Sequence, residues 1–232
     1  MELPTFDDVK DAADRLAGHA RRTPVLTQTR LDDDVGAEVH LKCENFQRVG
    51  AFKMRGALNA LRSLPDHKAQ QGVVTHSSGN FAQAVALSAR ICGVPAHIVM
   101  PENAPAVKRR AVEGYGARVI PCEPTLVARE TTAARIVAET GGQLLHPFDQ
   151  DEVIAGQGTV GIELFEQVDG LEAVLVPVGG GGLISGIALA MRELNPSVRV
   201  FGVEPAGADD AARSKAAGGT QRTSRSTATW CL

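Results

Sequence analysis

The sequence has few cysteines and no excess of positive charge. Its four cysteines, Cys43, Cys92, Cys122 and Cys231, form no C-x-x-C pair and do not have the Cys/His spacing of a zinc site. We expect them to be reduced, buried thiols of a cytoplasmic protein. The formal net charge of −3 predicts no basic surface for nucleic acid or for an anionic membrane. The ligand is therefore expected to be a small molecule.

Long apolar runs are missing as well. Residues 1–10 carry acidic side chains and lack the apolar core of a secretory signal, and no run is long enough to span a bilayer. We therefore expect a cytoplasmic protein with no membrane partner. With 232 residues and 44% hydrophobic content, the chain can bury the core of one large domain or of two small ones.

Two common nucleotide-binding motifs are absent, although glycine is concentrated in one place. Gly179, Gly180, Gly181 and Gly182 lie between the apolar run 173–178 and the helix-like run 183–191. No Gly-Lys-Ser/Thr follows them, and their spacing does not give GxGxxG. A strand that turns through glycine into a helix directs backbone N–H donors and the positive helix end at one point. The pattern predicts a phosphate site for a small cofactor, with a flexible loop or tight backbone crossing as the alternative.

A lysine lies at the start of another predicted helix. Lys53 follows a glycine turn and stands between the apolar Phe52 and Met54. The helix dipole and the poor solvation both favour its neutral amine, which is the form that makes Schiff bases. Lys53 is therefore a candidate nucleophile, and an ordinary solvated lysine is the alternative.

A third segment places hydroxyl groups at a helix start. Ser77 and Ser78 follow the short strand 72–75 and precede a predicted helix at 81–92. Backbone amides and hydroxyls at such a position can bind a carboxylate. The alternative is that one of the two serines only caps the helix.

Short β-branched runs alternate with alanine-rich helical runs along most of the chain. Strands are predicted at 39–43, 72–75, 96–100, 118–120, 143–146, 173–178 and 198–203. Helices are predicted at 81–92, 105–115, 126–140, 153–168 and 183–194. This is an α/β pattern with parallel sheets. Ligands of such sheets bind beyond the carboxyl ends of the strands, where the three motifs fall.

Taken together, the segments resemble the fold-type II pyridoxal-phosphate enzymes, in particular the threonine dehydratase and serine racemase group. The similarity rests on three runs in the family's order and separation: Phe-Lys-Met-Arg-Gly-Ala at 52–57, Ser-Ser-Gly-Asn at 77–80 and Pro-Val-Gly-Gly-Gly-Gly at 177–182. Further matching runs lie at 100–105, 156–159 and 202–205, and the similarity extends to about Gly219.

The resemblance implies two parallel-sheet, three-layer domains of the tryptophan synthase β-like fold. A discontinuous large domain that binds pyridoxal phosphate is expected at 1–71 plus 150–219, and a small mobile domain at 72–149. Residues 220–232 match nothing in the family, are rich in Ser, Thr and Arg, and hold the only Trp. Family members continue with more of the large domain. We therefore expect an incomplete large domain and an aberrant tail produced by truncation or a reading-frame error.

The resemblance also implies roles for the cofactor-binding residues. Lys53 would bond covalently to pyridoxal 5'-phosphate and serve as the base at the substrate Cα. Phe52 would pack beside the ring, Asn80 would hydrogen-bond its 3′ oxygen, and the four glycines would bind the phosphate. Ser78 would act as a second acid or base on the opposite face.

The same resemblance places substrate-binding groups around the helix start. The residues expected near the substrate carboxylate are Ser77, Ser78, Asn80, Gln83 and Arg129. From spacing alone Arg129 is a solvated helix charge. Phe81 departs from the family, which has histidine in this loop, so the pocket is expected to be more apolar.

A metal site is expected near the last strand. The resemblance implies Mg²⁺ or Ca²⁺ bound by Glu204, Ala208 and Asp210, since carboxylates and a carbonyl are suitable ligands for a hard cation. A helix capped by aspartate is the alternative.

The resemblance implies a dehydratase that converts a β-hydroxy amino acid such as L-threonine or L-serine to a 2-oxo acid and ammonia, with serine racemisation as a further activity. A homodimer is implied for the full-length family. A β-replacement enzyme of the cysteine synthase type is the enzymatic alternative, although its Ser-Gly-Asn-Thr-Gly loop does not match residues 78–82. A truncated fragment with defective catalysis is the other alternative.

Overall fold

The computed structural model describes residues 3–221, which form an α/β fold. The helices are α1 (Phe6–Leu16), α2 (Thr29–Val35), α3 (Lys53–Arg62), α4 (Asp66–Ala69), α5 (Asn80–Cys92), α6 (Ala106–Gly114), α7 (Leu126–Thr140), α8 (Asp151–Gln167), α9 (Gly182–Leu194) and α10 (Asp210–Ala217). The strands are β1 (Val25–Thr27), β2 (His40–Lys42), β3 (Val73–His76), β4 (Ala96–Pro101), β5 (Arg118–Cys122), β6 (Gln143–Leu144), β7 (Ala173–Pro177) and β8 (Arg199–Val203).

The four-stranded sheet has the order β5-β4-β3-β6, and all its pairs are parallel. Its centre is β3, where Val73 and Val74 are fully buried. Burial on both faces explains why β3 begins with two consecutive apolar residues rather than an alternating pattern. The helix α5 follows β3 directly, so the carboxyl end of the central strand leads into the Ser77–Ser78 loop.

A second parallel pair, β7 and β8, leads into the four glycines. The inward side chains Val174 and Val176 are buried against residues of α8 and α9. On the other face, Leu175 is 70% exposed and Phe201 is 45% exposed. Within residues 3–221, β8 pairs only with β7.

The first strand pair is antiparallel, unlike the parallel sheets that the sequence predicted and that the other strands form. The strand predicted at 39–43 forms as β2 and pairs with β1 in antiparallel register, Leu26 opposite Leu41. Between them α2 ends at Gly36, which has a positive φ of 68°. This left-handed residue ends the helix and turns the chain back, so β2 runs against β1.

Helix α8 packs closely against both α3 and α9. A Cβ added at Gly156 would lie 2.7 Å from Gly56 Cα on α3. On the next face of α8, a Cβ added at Gly158 would lie 2.8 Å from the backbone oxygen of Gly186 on α9. Because side chains are absent at these crossings, α8 holds the lysine helix α3 and the glycine-loop helix α9 close together.

Other sequence predictions have mixed outcomes. The helix at 126–140 is confirmed to the residue, whereas the strand predicted at 143–146 ends at Leu144. Cys43, Cys92 and Cys122 are free, but only Cys122 is buried and the other two are half-buried. The domain boundaries stay a prediction. Cys231 and residues 222–232 of the expected tail lie outside the described residues.

Candidate active site

Lys53 is the first residue of α3 and is half-buried. Its Nζ donates a 2.7 Å hydrogen bond to the carbonyl oxygen of Pro147. The Phe52 and Phe81 rings lie close to it, with centroids 5.0 and 5.8 Å from Nζ. Burial penalises the ammonium form and lowers the pKa of Lys53 to about 8. At neutral pH the amine is therefore neutral far more often than an ordinary lysine.

The Phe81 side chain lies beside the Lys53 amine. It is only 2% exposed and belongs to the apolar core with Ala57 and Ala60 of α3. The aromatic ring is thus both a core side chain and the near neighbour of Lys53. The apolar Phe81 ring therefore reduces the access of water to the lysine amine.

The loop between β3 and α5 leaves the start of α5 without a side-chain cap. The N-cap is Gly79, so neither Ser77 nor Ser78 occupies the capping position. Ser77 Oγ instead accepts a 3.3 Å hydrogen bond from the Gly79 N–H. Asn80 is the first residue of α5, and Gln83 lies half-buried one turn later. The capping alternative for the two serines is therefore wrong.

The four glycines form a loop with one packed and one open side. Gly181 has a positive φ of 86° and is the N-cap of α9. Side chains added at Gly179 and Gly181 would meet nothing within 4 Å, whereas one at Gly180 would collide with the Phe148 ring. Open space above N–H groups at a helix start fits a phosphate.

The helix starts at the site share a further property. Helices α3, α5 and α9 each begin without a side-chain capping hydrogen bond. Helices α4, α6 and α8 also begin without one, whereas α1 and α7 are capped by Thr5 and Thr125. The residues present therefore fit pyridoxal phosphate, since a desolvated lysine accompanies uncapped helix starts that can receive anionic groups.

The segment 146–150 connects the lysine to the glycines, and sequence reasoning missed it. Pro147 is the carbonyl partner of Lys53, and Phe148 packs against the glycine loop. The signal was available, because His146 and Pro147 lie just beyond the end of the parallel strand β6, at the edge where ligands bind. The turn was missed because the predicted strand, 143–146, included His146.

A buried network of ion pairs anchors α3 through Arg55. Arg55 is 1% exposed and pairs with Glu44 at 2.7 Å and with Glu163 at 2.6 Å. Burial alone would favour a neutral Arg55, but the hydrogen bonds to both carboxylates outweigh it and raise the pKa. Lys42 also bonds Glu163, at 2.5 Å. This network holds the helix that begins with Lys53.

The hydrogen bond that the structure shows for Arg129 is to its own helix start. Arg129 lies in the first turn of α7, and its Nε donates a 3.3 Å hydrogen bond to the Thr125 carbonyl oxygen. The guanidinium is therefore held at its own helix. Its role at the substrate carboxylate stays a prediction.

The expected metal ligands lie on one turn. Both oxygens of Glu204 accept hydrogen bonds from α10, from Ala211 N–H at 3.0 Å and Ala212 N–H at 2.8 Å. Ala208 is in the turn, and Asp210 begins the helix. Glu204, rather than an aspartate, thus caps α10. Residues 3–221 contain no cluster of three or more His, Cys, Asp or Glu suited to a metal, so the Mg²⁺ or Ca²⁺ site stays a prediction.

The helices of the described region also bear on membrane association. None within residues 3–221 is both long enough and apolar enough to cross a bilayer.

Comparison with known proteins identifies relatives along nearly the whole chain. Residues 16–230 match the family model described as pyridoxal-phosphate dependent enzyme. The chain is 50% identical to a serine racemase of Oryza sativa subsp. indica, over 90% of this chain and 62% of the rice protein. It is 51% identical to L-threo-3-hydroxyaspartate ammonia-lyase of Saccharomyces cerevisiae, over 92% of this chain and 66% of the yeast protein.

A solved structure of maize serine racemase superimposes with a TM-score of 0.95 at 48% identity, covering 96% of this chain and 68% of the maize chain. The chain thus spans about two thirds of the length of these relatives. The fold is that of the fold-type II pyridoxal-phosphate enzymes, as the sequence predicted. The family match, together with the desolvated lysine and the glycine loop, shows that this chain belongs to the pyridoxal-phosphate-dependent enzymes.

Proposed function

We propose that the chain provides the cofactor-binding part of an ammonia-lyase that converts a β-hydroxy amino acid to a 2-oxo acid and ammonia. The observation that carries the proposal is the Lys53 amine, which is desolvated by Phe52 and Phe81 and linked through Pro147 to the segment beside the glycine loop. Serine racemisation is proposed as a further activity of the same site.

Cofactor binding is assigned to residues on three elements. The N–H groups at Gly179, Gly180, Gly181 and Gly182 would hold the phosphate, since the loop is open on one side. Phe52 would pack beside the ring, and Asn80 would hydrogen-bond its 3′ oxygen. When bound, pyridoxal phosphate supplies an electron sink for charge that develops at the substrate Cα.

Proton transfer is assigned to two groups on opposite faces. Lys53 Nζ would take the Cα proton, which its lowered pKa allows at neutral pH. Ser78 lies in the loop before α5 and would exchange a proton on the other face, as racemisation requires. Elimination from an L-substrate needs only the lysine face, so the two activities should depend differently on Ser78.

Substrate binding is assigned to the start of α5. Ser77, Ser78, Asn80 and Gln83 surround an uncapped helix N-terminus, which favours a carboxylate. Arg129 is proposed to approach the same carboxylate from α7. The relatives named above are a serine racemase and a hydroxyaspartate ammonia-lyase, and their named substrates are β-hydroxy amino acids.

The remaining proposals concern the whole protein. We propose a homodimer in the cytoplasm, with Mg²⁺ or Ca²⁺ bound by Glu204, Asp210 and the Ala208 carbonyl. Metal binding there would compete with the capping of α10 by Glu204. A calcium or magnesium titration followed by thermal unfolding tests this site, because a ligand of the folded state raises the transition temperature.

The proposed activity is tested by incubating the purified chain and pyridoxal phosphate with L-threonine, L-serine or L-threo-3-hydroxyaspartate. The 2-oxo acid product is then measured. We expect turnover of at least one substrate, its loss in Lys53→Ala, and its retention in Lys68→Ala, a control at an exposed lysine. Unchanged turnover in Lys53→Ala would contradict the proposal. Turnover of O-acetylserine with sulfide, but of none of the three substrates, would favour the β-replacement alternative.

A further inference from the structure

The turn after β6 is organised around one histidine nitrogen. His146 Nδ1 accepts the backbone N–H of Asp149 at 2.8 Å and that of Phe148 at 3.4 Å. The backbone N–H of His146 donates to Gln150 Oε1 at 2.9 Å, which closes the turn from the other side. A ring nitrogen that accepts N–H groups carries a lone pair, so the neutral ring has its hydrogen on Nε2.

This turn makes contact with both halves of the site. Pro147 O accepts the 2.7 Å hydrogen bond from Lys53 Nζ. Phe148 packs against the glycines, because its ring blocks a side chain at Gly180 and its carbonyl oxygen lies 2.9 Å from a Cβ added at Gly182. A displacement of the turn would therefore move the partner of the lysine and the packed side of the phosphate loop together.

The surroundings of His146 favour its neutral form. Its ring contacts Phe148 and His76 edge-on, with centroids 4.6 and 5.8 Å apart. The titratable groups facing it are His76 from β3, Lys53 from α3, Glu130 from α7 and Asp149 from the turn itself. Burial, His76 and Lys53 lower the pKa of His146, and together they outweigh the opposite effect of the two carboxylates.

We propose that His146 is a positioning residue, whose neutral Nε2–H form fixes the 146–150 turn. The fixed turn holds the Pro147 carbonyl beside the Lys53 amine and Phe148 against the glycine loop. The inference rests on the proposed function only for the role given to Lys53. Protonation of Nδ1 would set a donor against two backbone donors, so the turn would lose its acceptor. The carbonyl of Pro147 would then no longer be held beside Lys53.

The test uses the full chain without cofactor and the variants His146→Ala and His146→Asn. Asparagine keeps an acceptor near the Nδ1 position, whereas alanine removes it. His67→Ala is the control, because His67 is exposed on α4. The readouts are the imidazole ¹⁵N shifts, the hydrogen exchange of the Phe148 and Asp149 amides, and the pH dependence of Lys53 reactivity toward pyridoxal phosphate.

We expect Nδ1 to be unprotonated at neutral pH and exchange of the two amides to rise about tenfold in His146→Ala, as a lost hydrogen bond predicts. In His146→Asn the exchange should stay close to that of the unchanged protein, and the reactivity profile of Lys53 should shift only in His146→Ala. A hydrogen on Nδ1, or equal exchange in both variants, would overturn the proposal.

These readouts separate the two proposals. If the ammonia-lyase function is wrong, the ring tautomer and amide exchange still report on the turn. If His146→Ala does not fold, the tautomer of the unchanged protein and the exchange in His146→Asn decide the matter. In the loaded protein, His146→Ala should reduce kcat more than it changes KM, with recovery in His146→Asn.

Discussion

Lys53 and Pro147 are 94 positions apart in the sequence, yet the lysine Nζ lies 2.7 Å from the proline carbonyl oxygen. The contact joins the first residue of α3 to the turn that follows β6. It gives the half-buried lysine a fixed partner, and the Phe52 and Phe81 ring centroids lie 5.0 and 5.8 Å from its amine. The reactivity of Lys53 is therefore a property of the assembled fold and not of its helix alone.

The first prediction concerns pH. Because the neutral amine is the nucleophile, the initial rate of covalent attachment of pyridoxal phosphate should rise with pH and level off above about 8, the pKa of Lys53. An unperturbed lysine would level off only above about 10.4. Attachment rates from pH 6 to 11 check this, and an inflection near the unperturbed value would show that the amine is solvated.

The second prediction concerns Phe81. Phe81→Ala should lower the free energy of unfolding by about 3–5 kcal/mol, because it leaves a cavity in the core. Water would reach the amine, so the pKa of Lys53 should rise toward its ordinary value. Denaturant unfolding and the attachment profile measure the two effects.

The control for Phe81 is Phe165→Ala, since Phe165 is 39% exposed and should cost much less. Equal losses at the two positions, or an unmoved Lys53 profile in Phe81→Ala, would mean that Phe81 does not shield the amine.

The third prediction concerns the crossing of α3 and α8. Gly156→Ala places a Cβ 2.7 Å from both the Arg55 carbonyl oxygen and Gly56 Cα, so the two backbones must separate. We expect a loss of about 1–3 kcal/mol in the free energy of unfolding and weaker cofactor binding. Gly114→Ala, where an added Cβ meets nothing within 4 Å, should be neutral or slightly stabilising. If both substitutions behave alike, the close approach does not matter to stability.

The fourth prediction concerns the buried ion network. Arg55→Met leaves Glu44 and Glu163 without their main partner and should cost about 3–5 kcal/mol. Arg135→Ala breaks the exposed Arg135–Glu139 pair and should cost less than about 0.5 kcal/mol. Urea unfolding of the two variants checks the contrast, and a small loss in Arg55→Met would show that the network is not a major stabilising element.

The network also predicts a pH dependence. Burial raises the pKa of Glu163, but the bonds to Arg55 and Lys42 outweigh it and hold the pKa below its ordinary value. A carboxylate with a lowered pKa stabilises the fold above its unfolded pKa, and this contribution is lost as pH falls through the folded value. Stability should therefore fall in acid, and less steeply in Glu163→Gln, whose baseline stability is lower.

The sequence predicted those parts of the molecule that depend on local pattern. Helix α7 was predicted from its periodicity alone, and the glycine loop was found because a strand and a helix flank it directly. The His146 turn was not, because its importance comes from Lys53 and Gly180, which are distant in the sequence. The cap of α10 was not predicted either, because Glu204 precedes the helix by a whole turn and bonds the N–H groups of Ala211 and Ala212 across it.

Borohydride reduction of the protein mixed with equimolar pyridoxal phosphate, followed by peptide mapping, tests directly whether Lys53 is the reactive lysine. We predict a single pyridoxyl group on Lys53, lost in Lys53→Ala. Lys42 is the sharpest internal comparison, because it is also buried but is held as an ion pair with Glu163; it should remain unmodified. Modification of Lys42 instead of Lys53, or an undiminished adduct in Lys53→Ala, would contradict the assignment of the reactive lysine.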